Sequence, residues 1–128
     1  MGGATVVARA LSIDLQNVIA LPPSIAATDG YSEIQVTGRD VTGEMTIEAE
    51  LASVIDVDTQ LKSGTCLTLT TGNVGSTAGN RFAVTSATNG LVWKDRRVSD
   101  GDGLRLRQMP FDLRESSSGN DEVALAFT

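Results

Sequence analysis

Histidine is absent from this chain of 128 residues, and cysteine occurs once, at Cys66. No disulfide can close within it, and neither a Cys/His zinc site nor a Ser–His or Cys–His catalytic couple can be built. In GTCLTLTTG, Cys66 reads as a small apolar residue and not as a nucleophile. Aromatic residues are only 4% of the sequence, too few to make a stacking surface for bases or sugars. Trp93 and Tyr31 read instead as core or interface anchors. No apolar run approaches the length of a bilayer span, and Met1-Gly2-Gly3-Ala4 does not open like a secretory signal. The expectation is a soluble protein made in a cytoplasm, with no cofactor and no metal.

Positive charge is also scarce. Lys and Arg number 10 against 16 Asp and Glu, a net charge of −6, which argues against general affinity for nucleic acid. The imbalance is local. Residues 1–80 carry three bases (Arg9, Arg39, Lys62) against nine acids, whereas residues 81–128 carry seven of each. The later bases Lys94, Arg96, Arg97, Arg105, Arg107 and Arg114 interleave with acids, as in a solvated face or an electrostatic match between subunits.

What is abundant is Thr, Ser, Gly and Val in short alternating runs, the pattern of strands and turns. The segment 5–21, TVVARALSIDLQNVIAL, fits a helical face or a strand, and Pro22-Pro23 ends either one. Residues 1–30 are expected to form an N-terminal arm. Residues 31–51, YSEIQVTGRDVTGEMTIEAEL, are expected to form a hairpin turning at GRDVTG. Its Met45, Ile47, Ala49 and Leu51 would face inward, and Glu33, Glu44, Glu48 and Glu50 would share the outer face. Residues 52–63 lose the alternation, which predicts a short helix capped at Asp56 or Asp58 and closed by Gly64. TCLTLTT, RFAVTSAT, LVWKDRRV, LRLRQMPF and EVALAF are further expected strands, and Asn89-Gly90 is the clearest hairpin signal. Without repeats or a domain boundary, the chain is expected to be a single mainly β domain, sandwich- or barrel-like, with one short helix.

Two motifs fall short of chemistry. SDGDG (99–103) begins like a calcium loop but has no distant bidentate carboxylate, so it reads as a reverse turn. GNVGSTAGN (72–80) lacks the lysine of a phosphate-binding loop and joins two strands, so it reads as an exposed loop.

In the order of these features, residues 43–110 resemble the tail-tube (major tail protein) family of long-tailed bacteriophages. A hairpin leads to a short helical segment, VIDVDTQLKSG, and then to GTCLTLTTG and RFAVTSAT. Strands around an acidic glycine turn, VSDGDGLRLRQMPFDL, close the set. The resemblance implies a subunit of a virion tail made in a host bacterial cytoplasm. It implies hexameric rings stacked into a tube, whose inner wall is a β-barrel shared by all subunits and through which DNA passes. An acidic lumen would keep phosphates from sticking, so Glu33, Glu44, Glu48 and Glu50 become candidate channel-lining residues. Arg39, Asp40, Asn73, Val74, Arg96 and Arg97 become candidate contacts between subunits, and other tail proteins become expected partners. A connector, tail-completion or capsid-decoration subunit would share the same look. Outside this class stand a carbohydrate- or receptor-binding sandwich using loops 72–80 and 115–121, and a hydrolase using Glu48 and Glu50.

Overall fold

Along β4 (Val41–Glu48), Val41, Met45 and Ile47 are buried while Thr42, Glu44, Thr46 and Glu48 stand on the other side. That period of two makes the sheet around β4 two-faced. The computed structural model describes residues 5–49 and 53–128. Within them the chain is mainly β, with one helix. β4 is flanked by β1 (Ala8–Asp14) and β8 (Leu104–Leu113), both antiparallel. Beyond β8 lie β6 (Leu91–Trp93), beside its C-terminal half, and β7 (Arg97–Gly101), beside its N-terminal half.

The inner face of this five-stranded sheet supplies Val41, Met45, Ile47, Leu91, Trp93, Met109, Phe111 and Leu113 to the core. Against them pack Ile55, Leu69 and the helix α1 (Val57–Ser63), which contributes Val57 and Leu61. A second layer, β5 (Phe82–Ser86) paired with β9 (Val123–Phe127), lies outside this sheet.

The helix forms where the alternation stops. Asp56 is its N-cap, with Oδ1 accepting from the Thr59 N–H at 3.0 Å and Oδ2 accepting from the Thr59 hydroxyl at 2.7 Å. These bonds, the Thr59 hydroxyl first, hold the Asp56 carboxyl below its ordinary pKa of 3.8. Gly64 closes the helix in the left-handed region (φ 62°). Both caps are the ones the sequence indicates.

Within the expected hairpin 31–51, the described residues 31–49 do not fold back on themselves. β3 (Gln35–Arg39) pairs with β2 (Asn17–Ala20), and β4 pairs with β1 and β8. Pairing runs from Ala8↔Ile47 through Asp14↔Thr42 and Asn17↔Arg39 to Ala20↔Gln35, with a last bridge at Pro23↔Tyr31. Residues 8–48 are thus one long hairpin, and the expected N-terminal arm is its first strand from residue 8 onward. The misreading lies in the glycines of GRDVTG. Gly38 and Gly43 are strand residues, Gly38 against the Val18 side chain and Gly43 beneath the Phe111 ring. The real turn is at the tip, where the Ser24 N–H donates to the Gly30 carbonyl at 2.8 Å.

Two other turns exchange roles. Asn89 takes a positive φ (57°), but β5 and β6 on either side of Asn89-Gly90 pair with β9 and β8, not with each other. Gly90 is needed for closeness, since a Cβ there would lie 2.7 Å from the Arg114 carbonyl. The tight hairpin is instead Asp102-Gly103, both at positive φ (52° and 76°), joining β7 to β8. The TCLTLTT segment is no regular strand either. It touches Leu91 at Leu67, Thr85 at Thr70 and, beyond its end, Phe82 at Val74. Hydroxyls fill its broken ladder. Ser86 Oγ accepts from the Leu69 N–H at 2.9 Å, and Thr71 Oγ1 accepts from the Val84 N–H at 3.0 Å.

At Gly43 an added Cβ would sit 2.5 Å from both Phe111 Cζ and the Ser12 carbonyl oxygen. Gly43→Ala is therefore expected to cost about 1–3 kcal/mol or more, because a buried ring or the neighbouring strand has to move. Denaturant unfolding measures this. A second prediction concerns the cap. Asp56→Ala should lower the melting temperature, and Asp56→Asn should retain most of it because Asn also caps. A depressed carboxylate pKa stabilises above the ordinary value and loses that stabilisation as pH falls through its folded value. Any margin of wild type over Asp56→Asn should therefore shrink on lowering the pH below 3.8. A margin independent of pH would rule out a role for the charge.

Candidate functional site

The outer face of the five-stranded sheet is where the polar half of the alternation collects. Register places Ser12 and Pro110 beside Glu44, Ala10 and Gln108 beside Thr46, and Asp14 and Asp112 beside Thr42. Glu48 lies beside Leu106, and Arg97 beside Gln108. β8 changes character along its length. Because Met109, Phe111 and Leu113 point inward, Arg105 and Arg107 share their side, and Leu106 lies on the outer face.

This face is not a bare comb of carboxylates. A register shift between Ala8 and Ala10 brings Arg9 over Glu48, with Arg9 Nη2 at 2.6 Å and Nε at 2.8 Å from Glu48 Oε1. Lys94 Nζ lies 2.9 Å from Asp112 Oδ1, and Arg97 Nε lies 3.5 Å from Asp95 Oδ2. Glu44 and Asp14 have no ionic partner among the described residues, and Glu44 is exposed. Each base on this face thus meets a carboxylate of its own chain, and the unbalanced charges are negative.

Of the four expected channel residues, the structure brings Glu44 and Glu48 together on one strand face. Glu33 lies beyond β3 in the distal hairpin, in a different ladder from Glu44, because no turn separates β3 from β4. Glu50 lies outside the described residues. Asp14, Asp112 and Arg9 belong to the same face and were missed. The signal for Asp14 was the alternation of ARALSID, which a strand reading of residues 5–21 would have put opposite Thr42.

The residues considered as contacts between subunits are partly occupied within the chain. Arg39 donates from Nε to Asn17 Oδ1 at 3.0 Å and from Nη1 to Glu122 Oε2 at 3.3 Å. Glu122 is the one buried charged residue among those described, so this pair ties the root of the long hairpin to the start of β9. Around it opens a cleft of about 700 Å³ that also includes Asp40, Arg114 and Glu115. Arg96 Nη1 holds Asp58 Oδ2 at 2.6 Å, fastening the first turn of α1. Asp40 and Asn73 are exposed, and Val74 is half-exposed beside Phe82. Across loop 114–122, Asp121 accepts from Ser116 through hydroxyl and backbone N–H, which lowers the Asp121 pKa. Among the described residues no cluster of His, Cys, Asp and Glu has the form of a metal site, and no helix is long and apolar enough to cross a membrane.

No family model and no curated protein matches the sequence. Among solved structures, the chain is similar in fold to a chain from the tail of an empty gene transfer agent (GTA) particle, obtained by helical refinement with C6 symmetry. The TM-score is 0.56 at 12% identity, and the likeness covers 96% of this chain and 83% of that one. What the two share is a fold.

Proposed function

We propose that this chain is a structural, non-catalytic subunit of a phage-like tail. Six copies close into a ring, rings stack into a tube, and the outer face of the five-stranded sheet lines the channel. The observation that carries this reading is the likeness, over 96% of the chain, to a chain of a C6-symmetric tail. The sheet supports it on physical grounds. Its core face packs against α1, Ile55 and Leu69, its other face is polar, and among the described residues its β1 and β7 edges have no strand beside them, whereas β6 is bridged at Leu91 by Leu67. Joining these edges between neighbours would complete the ladder and remove two exposed strand edges at once.

The charge arrangement suits passage of DNA. A polyanion is held where free Lys and Arg replace its counterions. Here Arg9, Lys94 and Arg97 already face Glu48, Asp112 and Asp95, and Glu44 and Asp14 add negative charge. A surface with its cations engaged lets phosphates slide past without adhering.

Electron microscopy of the purified protein should show rings or tubes with six-fold symmetry, and a strictly monomeric particle at high concentration would overturn the assembly. Glu44→Lys tests the channel. It places an unpaired cation on the polar face without disturbing the Arg9–Glu48 pair. The variant should fold and assemble as wild type, yet retard DNA at low salt, with the retardation relieved as salt rises. DNA delivery unchanged at low salt would remove the channel assignment.

A further inference from the structure

The distal part of the long hairpin is an arm set apart from the main sheet. β2 and β3 pair with each other and with no other strand, whereas β1 and β4, which lead into them, belong to the five-stranded sheet. The ladder breaks between the two parts. Asp14↔Thr42 is the last pair of the sheet and Asn17↔Arg39 the first pair of the arm, so Leu15-Gln16 and Asp40-Val41 are not paired with each other. Val41 is buried and held on its other side by Leu113 of β8. Gln16 takes a left-handed φ of 41°, so the first strand leaves extended geometry where the ladder stops. Its backbone N–H donates to Asp14 Oδ1 at 3.1 Å and its side-chain amide to Thr42 Oγ1 at 3.2 Å, which ties it to the sheet. Residues 15–16 and 40 are thus the joint between arm and body.

Beyond that joint a single polar contact holds the arm. Among the described residues, Arg39–Glu122 is the one hydrogen bond or ion pair that runs from residues 17–39 to the rest of the chain. Arg39 Nε holds Asn17 across the arm's own ladder while Nη1 reaches Glu122, so one side chain joins both arm strands to the body. Glu122 is firmly placed. Its side chain is 9% exposed, Val123 after it opens β9 and packs against the core, and Asp121 before it accepts from the Ser116 N–H at 2.7 Å. An open cleft lined by Val36, Gly38, Asp40, Leu113 and Arg114 lies around the pair. A carboxylate this buried is stable only with its counter-charge. Swinging the arm away would strand Glu122 without one, so the pair opposes any movement that separates the two residues.

The direction of the arm matters because of what it carries. A register shift sets Val18 opposite Gly38 and Ile19 opposite Val36, which turns Val18 and Ile19 to one side, and Ile34 continues that row. All of these apolar side chains are exposed, Ile19 at 64% and Ile34 at 70%. A second bare apolar surface lies on the body, at Leu125 and Phe127 of β9, just after Glu122.

We propose that the Arg39–Glu122 pair is a latch. It holds an arm that pivots at residues 15–16 and 40 to one angle, and so presents the apolar face in one direction before copies meet. When the latch opens, the arm swings with its own ladder intact. The latch belongs to the single subunit, and only its use in assembly rests on the tail-subunit reading above.

The test measures the distance between spin labels at Ala26→Cys, on the arm tip, and Lys62→Cys, on α1, in a Cys66→Ser background. Labelled chains are diluted into unlabelled protein, so that only distances within one chain are read. The otherwise unchanged chain should give a single narrow distribution. Arg39→Gln, which removes the cation, and Glu122→Gln, which removes the buried charge, should each broaden it while the circular dichroism stays the same. Glu122→Gln strands no buried charge, so it reads the latch even where Arg39→Gln fails to fold. A broad distribution without either substitution, or one still narrow in either folded variant, overturns the latch. Assembly is read separately. A wandering arm loses more freedom on docking, so Arg39→Gln should need several-fold more protein to form rings. Rings at an unchanged concentration, with a broadened arm, overturn the use of the latch in assembly and leave the latch itself standing. Wild type that forms no rings overturns the tail-subunit reading, and the label distances still decide the latch.

Discussion

The Phe111 ring lies across β4 at Gly43, a position where even one methyl group would strike both the ring and strand β1. Much of the core depends on that crossing. Phe111 is fully buried and meets Trp93 edge to face, with ring centroids 6.0 Å apart and planes at 82°. The Trp93 indole N–H in turn donates to Gln60 Oε1 of α1 at 3.2 Å. One missing side chain thus aligns β1, β4 and β8, seats the central aromatic pair and sets the helix over it. With so few aromatics in the chain, the core has no second pair to take over this position.

A sheet anchored on one face leaves the other free for use. Its outer side carries Arg9, Asp14, Glu44, Glu48, Lys94, Arg97 and Asp112, and the ion pairs there neutralise the bases and leave Glu44 and Asp14 uncompensated. This is a different device from a comb of repelling carboxylates. Glu48 is held by Arg9, so the strain of like charges at period two is reduced within the chain, and the same pairing removes cations that would bind phosphate.

The apolar surfaces of the distal hairpin and of β9 follow a different logic. The β9 surface continues an ordinary strand alternation past the material that covers Val84, whereas the hairpin surface owes its paired Val18 and Ile19 to a register shift. In a monomer each would be an aggregation hazard. The Arg39–Glu122 pair at the hairpin root fixes where one of those faces projects relative to the other.

Much was legible in the sequence because it is local. The mainly β class, the helix bounded by Asp56 and Gly64, the inward Met45 and Ile47 and the Asp-Gly reverse turn all rest on contacts within a few residues. Which strand lies beside which is a long-range matter, and there the local signals misled. Gly38 and Gly43 looked like turn residues, but they are strand residues beside Val18 and beneath Phe111. Asn89-Gly90 looked like a hairpin turn, but its flanking strands pair with β9 and β8. Glu33 was separated from Glu44 for the same reason. Alternation tells which side of a strand a residue faces, because that is set by the pleat. The neighbour across the ladder is set by how the whole core closes, and only the tertiary structure decided it.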